Sequence, residues 1–172
     1  MARTVPLRGS RFLVRRGSAF FVRPLVTIPM LLPFTIERAD GWFDITDELE
    51  VPDPPWTLSR PEGVGAVQFS VARYERGAVP NASPNVLLSL LLDFASSHEL
   101  GEPSDIVTEA GDLRIAAGNF RTADSFIRAW YISDGRSFAL ITYTCASGQQ
   151  QAELSDCEHM VRTLRFRNEA VV

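Results

Sequence analysis

Residues 125–145, with the sequence SFIRAWYISDGRSFALITYTC, carry the clearest structural signal in this chain. Two runs rich in β-branched and aromatic residues flank Asp134-Gly135, and Asp-Gly in that setting is typical of a tight β-hairpin. We therefore predict two long antiparallel strands over residues 125–132 and 137–145, with Gly135 at a positive φ. Because both faces of the first strand are largely apolar, we expect a sheet that is covered on both sides, at least in part.

Shorter strand patterns lie on both sides of this hairpin. Alternating or β-prone segments predict strands over residues 34–38, 42–46, 56–59, 67–75, 105–109 and 113–117. A turn at Ala39-Asp40-Gly41 leads from the first of these to the second, and Gly111-Asp112 predicts a hairpin between the last two. The intervening run over residues 47–55 is acidic and holds three prolines, so we expect a loop there.

Two amphipathic helices complete the pattern. Ser83 is a capping hydroxyl and Pro84 suits the first helical position, so a helix begins there and ends before Gly101. Its buried face is predicted to hold Val86, Leu87, Leu90, Leu91 and Phe94, widened by Leu88 and Leu92. The second helix is predicted over residues 152–164, with a buried stripe of Leu154, Cys157, Val161 and Leu164. This order predicts an α+β fold with a central antiparallel sheet of about six or seven strands and helices packed on it.

The composition is that of one globular domain. The 172 residues are 45% hydrophobic and 22% charged, which is enough apolar material for one core without a disulfide or metal. The net charge of −4 argues against general nucleic-acid binding. The apolar runs are shorter than a membrane-spanning helix requires, so we expect no membrane span.

Charge divides the chain near residue 30. All 17 basic residues are arginines, and residues 1–36 hold six of them and no acid. Residues 37–172 hold the other 11 against 21 acids, a net charge of −10. We therefore predict a basic N-terminal extension or arm over 1–30, a single domain over 31–168 and a tail over 169–172. The extension has three interpretations: a targeting segment, a hairpin over 11–14 and 19–22, or a start-site extension.

The residues that most often carry catalysis are sparse and scattered. His98 and His159 lie on predicted helices without a partner at ligand spacing, so we expect surface histidines rather than a metal site. Cys145 and Cys157 are expected to be two buried thiols, with a disulfide between them as the alternative. We find no catalytic motif, and we expect no enzymatic activity, no cofactor and no metal.

An acidic and aromatic segment is the candidate binding site. Five acids fall within ten residues, and a tryptophan lies on either side of them. One interpretation is a solvated loop with tryptophans that cap the core. The other is a docking surface for a basic protein, because aromatic residues dominate interface hot spots and acidic neighbours steer a basic partner. The predicted partner-binding residues are Trp42, Asp44, Asp47, Glu48, Glu50 and Trp56, with Asp53 as the fifth acid.

Several motifs occur in an order that a known superfamily shares. They are Gly41-Trp42 with Asp44 and Thr46, the strand over 67–71, the long apolar helix, the strand over 138–144, and a closing helix that ends in Thr163-Leu164-Arg165-Phe166. Over about residues 33–167 this order resembles the PsbP-like superfamily. That superfamily includes the oxygen-evolving-complex subunit P, the DcrB-like bacterial proteins and the Eag-type chaperones of type VI secretion effectors.

The resemblance implies a three-layer α/β/α arrangement and a non-enzymatic, protein-binding role. It suggests an immunity-like or chaperone/accessory factor of a bacterial secretion or toxin system, with a protein partner. Because residues 1–36 fit a secretory signal poorly, we expect a cytoplasmic location. Two alternatives stay open at this stage. One is a carrier of a small apolar ligand or lipid in a cavity under the helix over 86–94, and the other is an enzyme of unrecognised type.

Overall fold

A computed structural model describes residues 32–74 and 78–167, and the compact unit that contains all of them begins at Leu32. In chain order, the described elements are β1 (Phe34–Thr35), β2 (Phe43–Asp44), β3 (Trp56–Ser59), β4 (Gly65–Arg73), α1 (Pro84–Ser97), β5 (Ser104–Glu109), β6 (Arg114–Arg121), β7 (Ser125–Ser133), β8 (Ser137–Ala146), α2 (Leu154–Arg162) and β9 (Arg165–Phe166). The predictions for residues 1–30 and 169–172, including the hairpin in the extension, lie outside the described residues.

The main sheet has seven strands in the order β2-β3-β4-β8-β7-β6-β5, and every neighbouring pair is antiparallel. The predicted α+β fold with a central antiparallel sheet is therefore confirmed. α1 crosses over from β4, near the middle of the sheet, to β5 at one edge. This crossover places the acidic segment beside β2 and the hairpin of β5 and β6 at opposite edges of the sheet.

The β7–β8 hairpin forms as the Asp-Gly signal predicts. Gly135 has a φ of +97°, which a residue with a side chain adopts only at a cost. The Asp134 carboxylate accepts the backbone N–H groups of Arg136 and Ser137 at 2.9 and 2.6 Å, and the Ser133 hydroxyl accepts that of Gly135 at 2.9 Å. The turn therefore satisfies its own donors and fixes the register of β7 and β8.

The two helices cover opposite faces of the sheet. Leu91 and Ala95 of α1 pack with Ala129, whereas Cys157 and Met160 of α2 belong to the core that holds Trp130. Neighbouring residues of one strand point to opposite faces, so α1 and α2 must lie on different sides. The result is an α/β/α arrangement with two hydrophobic layers.

The buried face of α1 is narrower than predicted. Its N-cap, Ser83, accepts the backbone N–H of Val86 at 3.4 Å, and Leu87 and Leu91 are fully buried. Leu90 and Phe94 are half-buried, as is Leu88, but Val86 and Leu92 are exposed, so those two predictions were wrong. Only Leu87, Leu91 and Ala95, which are spaced at i, i+4 and i+8, are buried against the sheet, and the residues beside them turn toward solvent.

α2 is shorter than the predicted range because a 3₁₀ turn over Gln150–Ala152 precedes it and Thr163 ends it. Its predicted stripe is confirmed: Cys157, Val161 and Leu164 are buried, and Leu154 is half-buried. Cys145 and Cys157 are free, buried thiols, as we favoured.

The first strand has a partner that local sequence does not indicate. β1 leads through a turn with Gly41 at φ +79° into β2, as expected, but β1 does not pair with β2. Instead Phe34 lies opposite Phe166, and β1 and β9 form a separate two-stranded sheet. This pairing holds the two ends of the described segment together.

Candidate protein-binding edge

Trp42 is a core residue. It is 1% exposed, and its Nε1–H donates to the Oδ2 atom of Asp156 in α2 at 3.1 Å. Asp156 also lies 3.8 Å from the guanidinium of Arg60. The indole therefore has no face to offer a partner, and the prediction that Trp42 binds one is corrected: the residue joins β2 to α2.

Trp56 lies at the end of the same core, partly in contact with solvent. It is half-buried, and its ring packs against Phe34 and Phe69 with centroid distances of 5.4 and 4.8 Å. Its Nε1–H donates to the Oδ2 atom of Asp44 at 2.6 Å. Trp56 thus fastens the start of the acidic segment to the aromatic end of the core.

Asp44 organises the beginning of the acidic segment. Its Oδ1 atom accepts the backbone N–H and the hydroxyl of Thr46 at 2.9 and 2.6 Å, and the Thr46 hydroxyl in turn accepts the backbone N–H of Thr57 at 2.9 Å. Burial alone would raise the pKa of Asp44. The hydrogen bonds from Thr46 and Trp56, together with the positive charge of Arg38, outweigh burial and hold the pKa below its ordinary value. The carboxylate is therefore charged and committed to the structure of the loop.

The other four acids of the segment face solvent. Asp47 and Glu48 lie in a 3₁₀ turn over Thr46–Glu48, and Glu50 and Asp53 follow it. Across residues 32–74 and 78–167, none of these four carboxylates forms an ion pair or a hydrogen bond. A loop whose two ends are hydrogen-bonded to each other therefore presents four unneutralised negative charges.

Exposed apolar residues accompany these charges and were not among the predicted binding residues. Phe43 is 52% exposed and Val51 is 48% exposed. The signal for Phe43 was available, since adjacent residues on a strand point to opposite faces and a buried Trp42 requires an outward Phe43. We call this surface the acidic edge, and its members are Phe43, Asp44, Asp47, Glu48, Glu50, Val51, Asp53 and Trp56.

The other candidate residues are placed for structure rather than chemistry. Burial raises the pKa of both Cys145 and Cys157, so neither is poised as a thiolate. His98 is half-buried against the carbonyl of Phe94, with its Nδ1 2.9 Å away, and His159 is exposed 3.7 Å from Glu37. In the part of the chain that the structure describes, no group of three or more His, Cys, Asp or Glu residues is arranged to hold a metal ion.

A buried carboxylate serves the packing of α2. Glu153 is 2% exposed and accepts the hydroxyl of Tyr143 at 3.1 Å and the backbone N–H of Val64 at 3.0 Å. A side chain at Gly63 would collide with that carboxylate, so the glycine is required for the close approach. These bonds satisfy Glu153 inside the protein and join the turn before β4 to α2.

Comparisons with known proteins bear on the fold. No protein-family profile matches the sequence, and no curated protein matches it. Among solved structures, the solution structure of cyanobacterial PsbP (CyanoP) from Synechocystis sp. PCC 6803 is similar, with a TM-score of 0.55 and 7% identity over 78% of this chain and 87% of that one. The fold is PsbP-like.

Two further solved structures are similar in fold to this chain. A crystal structure from Bacteroides thetaiotaomicron VPI-5482 has a TM-score of 0.54 and 16% identity over 80% of this chain. This chain spans only 46% of that protein's length. LpqN, described as involved in cell envelope biogenesis of Mycobacterium tuberculosis, has a TM-score of 0.50 and 10% identity over 78% of this chain and 83% of its own. At these identities the likeness establishes the fold alone.

The structure also bears on membrane insertion. None of the helices in residues 32–74 and 78–167 is long and apolar enough to cross a membrane.

Proposed function

We propose that this chain is a non-enzymatic protein-binding module that docks a basic protein through its acidic edge. The observation that carries the proposal is a loop with four unpaired carboxylates, next to exposed Phe43 of β2. The Asp44–Trp56 hydrogen bond fastens this loop to the core. Because its two ends are held together, the loop loses less conformational entropy on binding than a free loop would.

The two components of the acidic edge act on different steps of association. The carboxylates of Asp47, Glu48 and Glu50 attract a basic partner before contact and raise the association rate, an effect that salt screens. Phe43 and Val51 lose water only in the complex, so they slow dissociation.

In its finer form, the proposal makes the partner a component of a bacterial secretion or toxin system and this chain its immunity-like or chaperone/accessory factor in the cytoplasm. The resemblance of the motif order to DcrB-like proteins and Eag-type chaperones supports this form. The PsbP-like fold agrees with it but fits other roles equally well. Identification of the bound protein is therefore part of the test.

The two alternatives have less support. A carrier would need room between the sheet and α1, yet Leu87, Leu91 and Ala95 are buried in close packing there. An enzyme would need reactive groups that converge, whereas the cysteine thiols are buried and the two histidines lie on different helices. Binding through the acidic edge has direct geometric support that these alternatives lack.

The test compares two triple variants that remove the same amount of charge. Asp47→Asn/Glu48→Gln/Glu50→Gln neutralises the acidic edge, and Glu62→Gln/Glu102→Gln/Asp124→Asn neutralises three exposed acids elsewhere. Both are used with the wild type to isolate partners from the native source, and association is then measured by biolayer interferometry at low and high salt. We expect the first variant to lower the association rate roughly tenfold at low salt, with a weaker salt dependence, and the second to change little.

A second pair of variants tests the apolar component. Phe43→Ala should raise the dissociation rate about fivefold or more if the ring is an anchor. Ile106→Ala removes a similarly exposed apolar side chain at the opposite edge of the sheet and serves as the control. If the affinity for the partner changes neither with salt, nor in the triple variant of the acidic edge, nor in Phe43→Ala, the acidic edge is only a solvated surface.

A further inference from the structure

A cleft of about 390 Å³ lies at the edge of the sheet opposite the acidic edge, where the β5–β6 turn meets the end of α2 and β9. Its volume is within the range of small-ligand sites, roughly 300–1,000 Å³. The lining residues are Glu109, Asp112, Leu113, Ile115, Asp134, Arg162, Arg165 and Phe166. Leu113, Ile115 and Phe166 form an apolar part, and charged groups of both signs surround them.

Two of the charged groups neutralise each other. Arg162 donates to both carboxylate oxygens of Glu109, at 2.9 and 2.8 Å. Its guanidinium also lies 3.9 Å from Glu158, which pairs at 2.8 Å with the buried Arg128. The bidentate bond lowers the pKa of Glu109 and raises that of Arg162, so both stay charged and held in place. They satisfy each other and have little capacity left for a ligand.

The remaining charged groups keep free capacity. Within the described residues, Asp112 has no hydrogen bond or ion pair, and Asp134 uses only Oδ1 for its turn. Arg165 donates through Nη1 to the carbonyls of Arg162 and Leu164 at 3.1 and 2.7 Å, which fixes the guanidinium and leaves Nε and Nη2 as donors. A ligand therefore meets two carboxylates, one guanidinium edge and an apolar surface.

We propose that this cleft binds the beginning of a peptide chain: an α-ammonium group with its adjacent carbonyl and an apolar first side chain. The ammonium supplies up to three donors for the carboxylates of Asp112 and Asp134, and the carbonyl accepts from Arg165. The side chain packs on the surface formed by Leu113, Ile115 and Phe166. The free groups carry a net charge of −1, which matches a ligand with one positive charge.

Other ligand classes fit this set of groups less well. A phosphate or nucleotide would face two carboxylates and only one available guanidinium. A metal ion would face the positive charge of Arg165. A lysine side chain offers an ammonium but no adjacent carbonyl, so it would use Asp112 and Asp134 and leave Arg165 without a role. The site is independent of the acidic edge, and its failure would leave the proposed function standing.

The experiment uses the full-length, ¹⁵N-labelled protein and three synthetic probes. The probes are the amidated peptide Phe-Ala-Gly-Ser, its N-acetylated form, and an acetylated, amidated Gly-Lys-Gly peptide. Amide chemical-shift changes are followed during titration to millimolar concentrations. We expect the free peptide to shift residues 109–115 and 162–167, and acetylation to weaken binding about tenfold or more because it removes the charge.

Protonation distinguishes the two sources of an ammonium. An α-ammonium loses its proton near pH 8 and a lysine near pH 10.4, so affinity for the free peptide should fall between about pH 7 and 9. Asp112→Asn and Arg165→Gln should each weaken binding several-fold, whereas Glu62→Gln should not change it. All three positions are exposed, so folding should persist, and thermal melts check this.

Four results would overturn the proposal. The first is equal binding of the free and acetylated peptides, and the second is equal or tighter binding of the lysine probe. The third is the absence of any shift at these residues at millimolar peptide. The fourth is loss of binding in Asp112→Asn but not in Arg165→Gln. That result would show that Arg165 does not bind the carbonyl, so the ligand would not be the beginning of a peptide chain.

Discussion

Replacing Trp56 by phenylalanine should separate the hydrogen bond of the acidic edge from its aromatic packing. The substitution removes the Nε1 donor to Asp44, now at 2.6 Å, and keeps a ring beside Phe34 and Phe69. A hydrogen bond to a charged group contributes about 1.5–3 kcal/mol when it is shielded. Because Asp44 is exposed and retains its bonds from Thr46, water can replace part of the loss, and we expect about 1 kcal/mol.

A double-mutant cycle separates the energy of this hydrogen bond from the energy lost with the smaller ring. The free energy of unfolding is measured by urea denaturation at pH 7 for the wild type, Trp56→Phe, Asp44→Ala and the double variant. The coupling between the two positions should be about 1 kcal/mol, because only the wild type holds the hydrogen bond.

The coupling should also depend on pH with a defined sign. The pKa of Asp44 is lower in the folded protein than in the unfolded chain. Its stabilisation is therefore fully present above the unfolded value, near 3.9, and is lost as the pH falls through the lower folded value. Coupling of less than about 0.3 kcal/mol at pH 7, or coupling that is the same at pH 7 and pH 3, would mean that ring packing alone holds the acidic edge.

Two further predictions concern the core and the cleft. Leu91→Ala should lower the free energy of unfolding by about 2–5 kcal/mol and Leu90→Ala by about 1–2 kcal/mol, since Leu91 is fully buried and Leu90 is half-buried. Equal losses for the two variants in urea denaturation would contradict the packing of α1. The hydrogen bond from Arg162 lowers the pKa of Glu109, so its stabilisation is present above about pH 4.3 and is lost on further acidification. Glu109→Gln should therefore flatten the acid side of the stability–pH curve, and an unchanged curve would show that the pair contributes nothing.

Local signals predicted the parts of the fold that depend on a few neighbouring residues. The Asp134-Gly135 turn could be found because it needs a positive φ that glycine supplies, and the beginning of α1 could be found from Ser83-Pro84. The pairing of β1 with β9 joins Phe34 to Phe166, and no local pattern encodes a contact over that separation.

The candidate site was likewise predictable only where local sequence determines it. The cluster of acids is visible in the sequence, and its exposure follows from its charge. The burial of Trp42 depends on Asp156, 114 residues away, so composition alone left its position open. The Asp44–Trp56 bond is likewise a product of the pairing of β2 with β3. Residue types thus indicated the surface, and tertiary contacts determined which aromatic side chains belong to it.

The unequal burial of the three tryptophans gives the protein a built-in optical reporter. Trp42 and Trp130 are each 1% exposed, which leaves Trp56 as the indole that a dissolved quencher can reach. Its Nε1–H is bonded to the Asp44 carboxylate, and four exposed acids lie in the segment between them, so a cationic quencher such as caesium should reduce its fluorescence more than iodide does at low salt. Any molecule that covers the acidic edge should remove this difference in quenching, which allows occupancy to be followed in unlabelled protein.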